Sequence, residues 1–232
     1  MKNADNTKLT LTTTPRLNPI VSPAQSRNRQ NTAMLGQLWS ESTTLTKNGW
    51  QQTAQQINIR DKRTGRKSLT AYSTYVFLNR ILLSCGINPL ASAPQTLVPA
   101  AALPLNLALE ATTTPASGQN GFGTFALMLR TSPYPAYCQV YSTKPSLANK
   151  PVRPGSGFVL LGALDSIPPG GVNIADLYLA KFGMPTSGAQ IAVQIVPVSQ
   201  TGLRGAPMLL QAIVDAPVAV VLTGDHELQK AA

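Results

Sequence analysis

Reactive side chains are scarce in this chain of 232 residues. It holds nine Asp and Glu, one His and two Cys, and charged residues make up 12% of it, against a usual share of about 25%. Nucleophilic catalysis needs a base beside the nucleophile, and the one histidine, His226, stands in a polar stretch near the end of the sequence. Cys85, Cys138 and His226 lack the spacing of zinc ligands. We therefore expect no enzyme, no catalytic residues, no cofactor and no metal site.

Long hydrophobic runs are also missing. The apolar stretches at 75–83 and 212–222 are interrupted by polar or charged residues or by proline, and both fall short of the roughly 20 apolar residues that span a membrane. Residues 1–14 are polar and threonine-rich, unlike the apolar part of a secretory signal. The sequence thus predicts no membrane partner. It also favours synthesis in a reducing cytoplasm, with Cys85 and Cys138 as free thiols rather than a disulfide.

The cations that are present gather in the first part of the chain. Of the nineteen Lys and Arg behind the formal net charge of +10, twelve lie within residues 1–90, against three acidic residues there. Residues 91–232 hold seven, against six acidic residues. The hydrophobic pattern changes at the same point, from helical spacing to short apolar runs separated by Pro and Gly. We predict a multi-domain α+β protein, in which a small N-terminal helical bundle precedes an antiparallel β-sandwich.

These patterns divide the chain into five predicted segments. They are an extended basic arm (1–30), a helical module (31–87), a linker rich in Pro and Ala (88–104), a β-sandwich domain (105–222) and a tail (223–232). In the helical module, Thr46 and Ser68 are predicted to cap helices. The helix predicted at 69–84 is apolar on most sides, and Gly86 is expected to end it.

The aromatic residues of the helical module are interpreted as core side chains. Trp39, Trp50, Tyr72 and Phe77 fall at helical positions typical of buried residues. Such rings can also serve as platforms on which nucleobases stack. Their helical spacing favours packing over stacking.

Short strand candidates at regular spacing occupy residues 105–214. They are 105–112, 124–130, 137–142, 158–164, 190–199 and 208–214, with one short helix predicted at 174–182. The strand at 137–142 alternates cleanly, so that Cys138 and Val140 face one way and Tyr137, Gln139 and Tyr141 the other. Strands of this length with frequent turn residues between them favour a β-sandwich.

A basic run before the last predicted helix of the module is the feature of the sequence that points most directly to a binding partner. Five cations within eight residues would attract a polyanion and release its counterions. The alternative is an exposed turn that carries only solvated charge. Together with the arginines of the arm, the candidates for binding a polyanion or an acidic partner are Arg16, Arg27, Arg29, Arg60, Lys62, Arg63, Arg66 and Lys67.

The order of the predicted strands carries a family resemblance. The segment 136–141 (AYCQVY) stands in the place of a central strand, and 190–204 reads as a long alternating strand followed by a turn with glycine. This order resembles a fibronectin type III or related immunoglobulin-like domain. The resemblance implies an immunoglobulin-like antiparallel β-sandwich.

The helical module carries a second likeness. Its spacing consists of Leu38-Trp39, Thr46, Trp50, Ala54, Gly65, Tyr72, Phe77, Leu78-Asn79 and Gly86. This spacing is similar to small modules of uncharacterised bacterial and prophage-encoded proteins, in which a β-domain follows. The likeness implies a virion structural protein of a bacteriophage type.

The function that these resemblances imply is a non-enzymatic virion component, such as a capsid decoration or cement protein or a head or tail component. We expect it to be made in the host cytoplasm and to reside in the virion, in a homo- or hetero-oligomeric assembly. The basic N-terminal half would dock on an acidic lattice or on nucleic acid. The alternative is a sequence-nonspecific nucleic-acid-binding protein whose β-sandwich recruits a partner. A third option, a cell-surface binding module, is disfavoured by the lack of a signal segment.

Overall fold

Three helices precede a region built mainly of β-strands. The structure, a computed structural model, describes residues 22–61, 65–114, 124–130, 133–147, 157–215 and 220–221. The helices are α1 (Pro23–Glu41), α2 (Thr44–Gln56), α3 (Ala71–Ser84) and α4 (Ala175–Phe182). The strands are β1 (Asn58–Asp61), β2 (Gly65–Ser68), β3 (Ala108–Thr114), β4 (Thr124–Arg130), β5 (Tyr137–Ser142), β6 (Ser146–Leu147), β7 (Val159–Leu164), β8 (Val172–Asn173), β9 (Ala189–Val198), β10 (Met208–Ile213) and β11 (Val220–Val221). The predicted α+β class, with its helices mainly N-terminal, is confirmed.

Helix α1 begins earlier than the sequence predicted. Ser22 is its N-cap, because the Ser22 hydroxyl accepts a hydrogen bond from the Gln25 amide while the Gln25 side chain accepts one from the Ser22 amide. Pro23 takes the first helical position, where no N–H is needed. The extended arm predicted for 1–30 is therefore wrong for residues 23–30, since a proline in this position starts a helix. The rest of that arm, residues 1–21, lies outside the described residues, as does the predicted tail.

The caps of α2 and α3 lie near the predicted ones. Thr43 caps α2 and Thr70 caps α3, each with a hydroxyl that accepts a hydrogen bond from the amide three residues ahead. The predicted caps, Thr46 and Ser68, are therefore wrong. Thr46 lies inside the first turn of α2, three residues after the cap, and Ser68 lies two residues before the cap of α3. Gly86 follows α3 with a φ of +75°, as predicted for the residue that ends this helix.

The three N-terminal helices enclose a core of their own. Leu35 of α1, Trp50 of α2 and Leu78 of α3 are fully buried in it. The ring of Trp50 meets that of Tyr75 edge-on, with centroids 5.2 Å apart, and Trp39 packs on the same tyrosine at 5.3 Å. The prediction that Trp39 and Trp50 are packing residues is confirmed.

The strands after the helices form two antiparallel sheets over one shared hydrophobic core. The larger sheet has the order β11-β10-β9-β5-β7, with β6 paired to β9, and the smaller has the order β3-β4-β8. Cys138 and Val140 of β5 lie in the shared core with Ile191 and Val193 of β9. Gln139, between the two β5 core residues, is buried against α3 on the opposite face of the sheet. The predicted alternation in β5 is therefore confirmed.

Residues 88–104, predicted as a linker, have no helix or strand but are held by hydrogen bonds on both sides. Their first half is bound to the helices and their second half to the β region. The bonds run from the Leu90 amide to Asn79 Oδ1 at 2.6 Å, from the Thr53 hydroxyl to the Pro94 carbonyl at 3.2 Å, from the Thr201 hydroxyl to the Val98 carbonyl at 3.2 Å and from the Tyr134 hydroxyl to the Ala101 carbonyl at 2.7 Å. The segment thus packs against both parts of the molecule.

Helix α3 also contacts the larger sheet directly. Ile81 of α3 and Cys85, the residue that follows α3, form a small buried cluster with Val198 of β9. In the turn after β9, Gly202 approaches the α3 backbone so closely that a Cβ there would stand 2.6 Å from the Leu78 carbonyl oxygen. Helix α3 therefore packs on the face of the larger sheet that is opposite the shared core.

Candidate functional site

The cations predicted from the sequence occupy two places in the described structure. Arg27 and Arg29 are exposed on the first two turns of α1. On the hairpin of β1 and β2, Arg60 stands directly opposite Arg66, with Lys67 next to it in sequence. The antiparallel register therefore pairs two basic positions that lie six residues apart along the chain. Three other candidates, Arg16, Lys62 and Arg63, lie outside the described residues, as does His226.

A groove runs between α1 and α3 and continues onto the larger sheet. It consists of two adjoining hollows of about 660 and 620 Å³, which share Asn28, Thr32, Tyr72 and Arg80. At its sheet end the groove is lined by Ser84, Gln139, Leu160 and Arg204. We call it the α1–α3 groove. It lies where the basic helices meet the nearly neutral β region.

Three arginines from different elements line the α1–α3 groove. Arg29 comes from α1, Arg80 from α3 and Arg204 from the connection between β9 and β10. None of the described residues that line the groove is an Asp or a Glu. The salt bridge found among the described residues lies elsewhere, between Arg130 and Glu110 at 2.6 Å. Among the described lining residues no carboxylate offsets the positive charge of the groove, which suits an anionic ligand.

A chain of hydrogen bonds positions Arg204 at the sheet end of the groove. Arg204 Nη2 donates to the Tyr141 hydroxyl at 3.0 Å, and that hydroxyl donates to Gln139 Oε1 at 3.0 Å. Gln139 Nε2 in turn donates to the Ser84 hydroxyl of α3. Burial raises the pKa of Tyr141, so the phenol keeps the proton that it donates. Among the described residues, the Arg204 guanidinium is anchored through this one nitrogen, and it carries further N–H donors.

Two aromatic rings are partly exposed along the groove. Tyr72 is 41% and Phe77 is 40% exposed, and both line the groove. Tyr72 packs on Trp39, with ring centroids 5.6 Å apart, so the predicted packing contact is present there, but neither ring is buried in the core as predicted. The reason is that α3 is apolar on most of its circumference, and spacing alone does not show which of its faces a neighbour covers.

Sequence reasoning missed two of the three groove arginines. Arg80 carried a usable signal, because Tyr72, Val76 and Arg80 recur at intervals of four and so share one face of α3. Arg204 carried none that we can identify. It follows the turn at 201–202, and only packing of that turn against α3 brings it to the groove.

The described residues supply little that is reactive. Among them there is no group of three or more His, Cys, Asp or Glu side chains able to hold a metal ion. Cys85 and Cys138 are buried free thiols, and burial raises the pKa of both, that of Cys138 to about 12. A protonated, buried thiol is a poor nucleophile.

One more structural finding and the comparisons with known proteins bear on the class of protein. None of the helices in the described ranges combines the length and the apolar character needed to cross a membrane. Comparison of the chain with protein-family models, with curated proteins and with solved structures finds no match. A functional assignment therefore depends on the groove and on the distribution of charge.

Proposed function

We propose that this protein is a non-enzymatic structural component of a virus particle, such as a capsid decoration or cement protein or a head or tail component of a bacteriophage. In this proposal the basic N-terminal half docks on an acidic lattice or on nucleic acid. The β region, proposed as an immunoglobulin-like sandwich, makes contacts with neighbouring subunits. The protein would be made in the host cytoplasm and reside in the virion.

The observation that carries the proposal is the separation of charge between two parts that pack together. Residues 1–90 hold twelve cations against three acidic residues, and residues 91–232 hold seven against six. Of the three arginines of the α1–α3 groove, Arg29 and Arg80 are among the twelve, and Arg204 is among the seven. A basic surface suits a polyanion, and a surface depleted of charge suits burial against another protein.

Two exposed leucines mark where the β region can meet a neighbour. Leu105 is 81% and Leu147 is 83% exposed, and Leu147 belongs to β6 of the larger sheet. Single exposed leucines are ordinary on protein surfaces. They support the proposal here because charged residues, which would oppose burial, are few in this half of the chain.

The proposal is tested by placing charge on these leucines. We expect the purified protein to sediment as an oligomer, and Leu105→Glu and Leu147→Glu to weaken association about tenfold or more, since a carboxylate would be buried at the contact. Both side chains are exposed, so the fold should persist. The measurement is sedimentation velocity over a range of concentrations, with and without DNA.

The matched control is Leu45→Glu, which changes an equally exposed leucine on α2 and should leave association unchanged. A protein that remains a monomer under all these conditions would overturn the subunit-contact part of the proposal. Equal effects of all three substitutions would also count against it.

The alternative is a sequence-nonspecific nucleic-acid-binding protein whose β region recruits a partner. The observation that favours it is the presence of partly exposed Tyr72 and Phe77 beside the groove arginines. In the same sedimentation experiment, a monomer that binds DNA tightly at physiological salt would favour this alternative.

A further inference from the structure

We propose that the α1–α3 groove binds single-stranded nucleic acid, with phosphates on Arg29, Arg80 and Arg204 and unpaired bases on Tyr72 and Phe77. This inference rests on the proposed function, which assigns a polyanion to the basic half of the chain. The inference adds the place where that polyanion binds, the α1–α3 groove, and the class of polyanion, a single-stranded nucleic acid.

The cations of the groove suit phosphate. All three are arginines, whose planar forks bind phosphate through two parallel hydrogen bonds and also stack on bases. Arg204 is held by Tyr141 at 3.0 Å, so little of its side-chain freedom is lost on binding. None of the described lining residues is an Asp or a Glu, so no carboxylate among them competes with the ligand.

The aromatic rings of the groove favour a single strand over a duplex. In a duplex the bases stack on one another, so the faces of Tyr72 and Phe77 would meet only the backbone. An unpaired base can lie on such a face, and each stacked base contributes about 1–3 kcal/mol with little dependence on sequence. The partial exposure of both rings in the free protein is what a stacking platform requires.

An acidic protein segment is the competing occupant. Its carboxylates would pair with the same arginines, but its aliphatic side chains would gain nothing particular from an aromatic ring. A leucine would serve such a segment about as well as Phe77 does. The nature of the side chain at 77 therefore distinguishes the two occupants.

The test is binding of a labelled oligothymidine of about 12 nucleotides, within the usual range of site sizes, to the full chain. Fluorescence anisotropy at about 50 mM salt should show Arg80→Gln and Phe77→Leu each weakening binding about tenfold. For Arg80→Gln the slope of log affinity against log salt should fall in magnitude by about 0.7. The control is Lys181→Gln, which removes one positive charge from the exposed surface of α4 and should bind as the unaltered protein does.

Every result that differs from these expectations overturns a specific part of the inference. If Arg80→Gln and Phe77→Leu bind the oligonucleotide as tightly as Lys181→Gln does, the polyanion binds elsewhere on the protein. The proposed function would then stand without this site. A duplex of the same length that binds as tightly as the single strand would remove the stacking argument. If a polyglutamate peptide displaces the oligonucleotide, and Phe77→Leu does not weaken binding of that peptide, the groove is assigned to an acidic protein. Failure of the full chain to bind any polyanion would overturn both the inference and the docking role of the basic half.

Discussion

Burial controls the acid–base chemistry of single side chains in the shared core. Cys138 is completely buried, and loss of hydration raises the pKa of its thiol to about 12. Tyr178 is completely buried as well, and burial raises the pKa of its phenol to about 12. Both groups are therefore neutral in the folded protein at physiological pH.

We expect the protein to lose stability as pH rises above 9. The Cys138 thiol ionises near pH 9 in the unfolded chain but only near pH 12 in the folded one. Its contribution is therefore complete below pH 9 and is lost as pH rises toward 12, at about 1.4 kcal/mol per pH unit. The measurement is the free energy of unfolding by urea at a series of pH values.

The control for this prediction is Cys138→Ala. This variant lacks the titrating group, so its stability should fall less steeply with alkaline pH, whatever its stability at pH 7. A pH dependence equal to that of the unaltered protein would assign the effect to other groups, such as the buried tyrosines.

At the scale of secondary-structure elements, one buried amide connects α3 to the segment at 88–104. Asn79 is completely buried, and its Oδ1 accepts a hydrogen bond from the Leu90 amide at 2.6 Å. An asparagine inside a largely apolar helix would otherwise be unfavourable, since a buried amide without partners is destabilising. Its partner in this irregular segment explains why it is accommodated.

We expect Asn79→Ala to lower the free energy of unfolding by about 1–3 kcal/mol, because the Leu90 amide then loses its acceptor. Residues 88–104 should also become more sensitive to protease. Asn48→Ala on the exposed surface of α2 is the matched control, with an expected change within about 0.5 kcal/mol. If the two variants behave alike, this amide has no role in holding the segment.

At the scale of the whole molecule, the contact at Gly202 joins the helices to the β region. Its φ is +83°, and a Cβ would stand 2.6 Å from the Leu78 carbonyl oxygen of α3. A side chain at this position is therefore opposed both by the backbone conformation and by the neighbouring helix. Gly170 has nearly the same φ, +85°, but no atom within 4 Å of its Cβ position.

We expect Gly202→Ala to destabilise the protein more than Gly170→Ala. The left-handed backbone costs about 1–2 kcal/mol in either variant, and the clash with α3 adds about 1–3 kcal/mol at 202 alone.

Trp39 and Trp50 are the two tryptophans of the chain and both lie in the helices. Their fluorescence therefore reports unfolding of the helical part, whereas circular dichroism reports both parts.

In the unaltered protein the two signals should change together during unfolding, and in Gly202→Ala they should separate because the parts are less tightly coupled. If Gly202→Ala and Gly170→Ala lower the free energy of unfolding equally, α3 shifts at this contact without loss of stability.

Local sequence patterns correctly predicted those helices and strands whose apolar spacing and turn residues match the way they pack in the fold. The strands at 124–130 and 137–142 lie at the predicted positions, and the helix predicted at 174–182 is α4. The start of α1 was not predicted, because Pro23 is read as a helix breaker unless the reciprocal bonds of Ser22 and Gln25 are recognised. Where two local readings of a residue compete, its neighbours in space decide between them.

By itself, the sequence determined the α+β class, the alternation of β5 and the concentration of positive charge in the first 90 residues, because composition and periodicity are properties of neighbours along the chain. The α1–α3 groove was decided by tertiary structure alone. Arg29, Arg80 and Arg204 are far apart in sequence and come to line one groove only when α3 packs against both α1 and the turn after β9. The same packing leaves Tyr72 and Phe77 partly uncovered, since a helix that is apolar on most sides is covered only where another element reaches it.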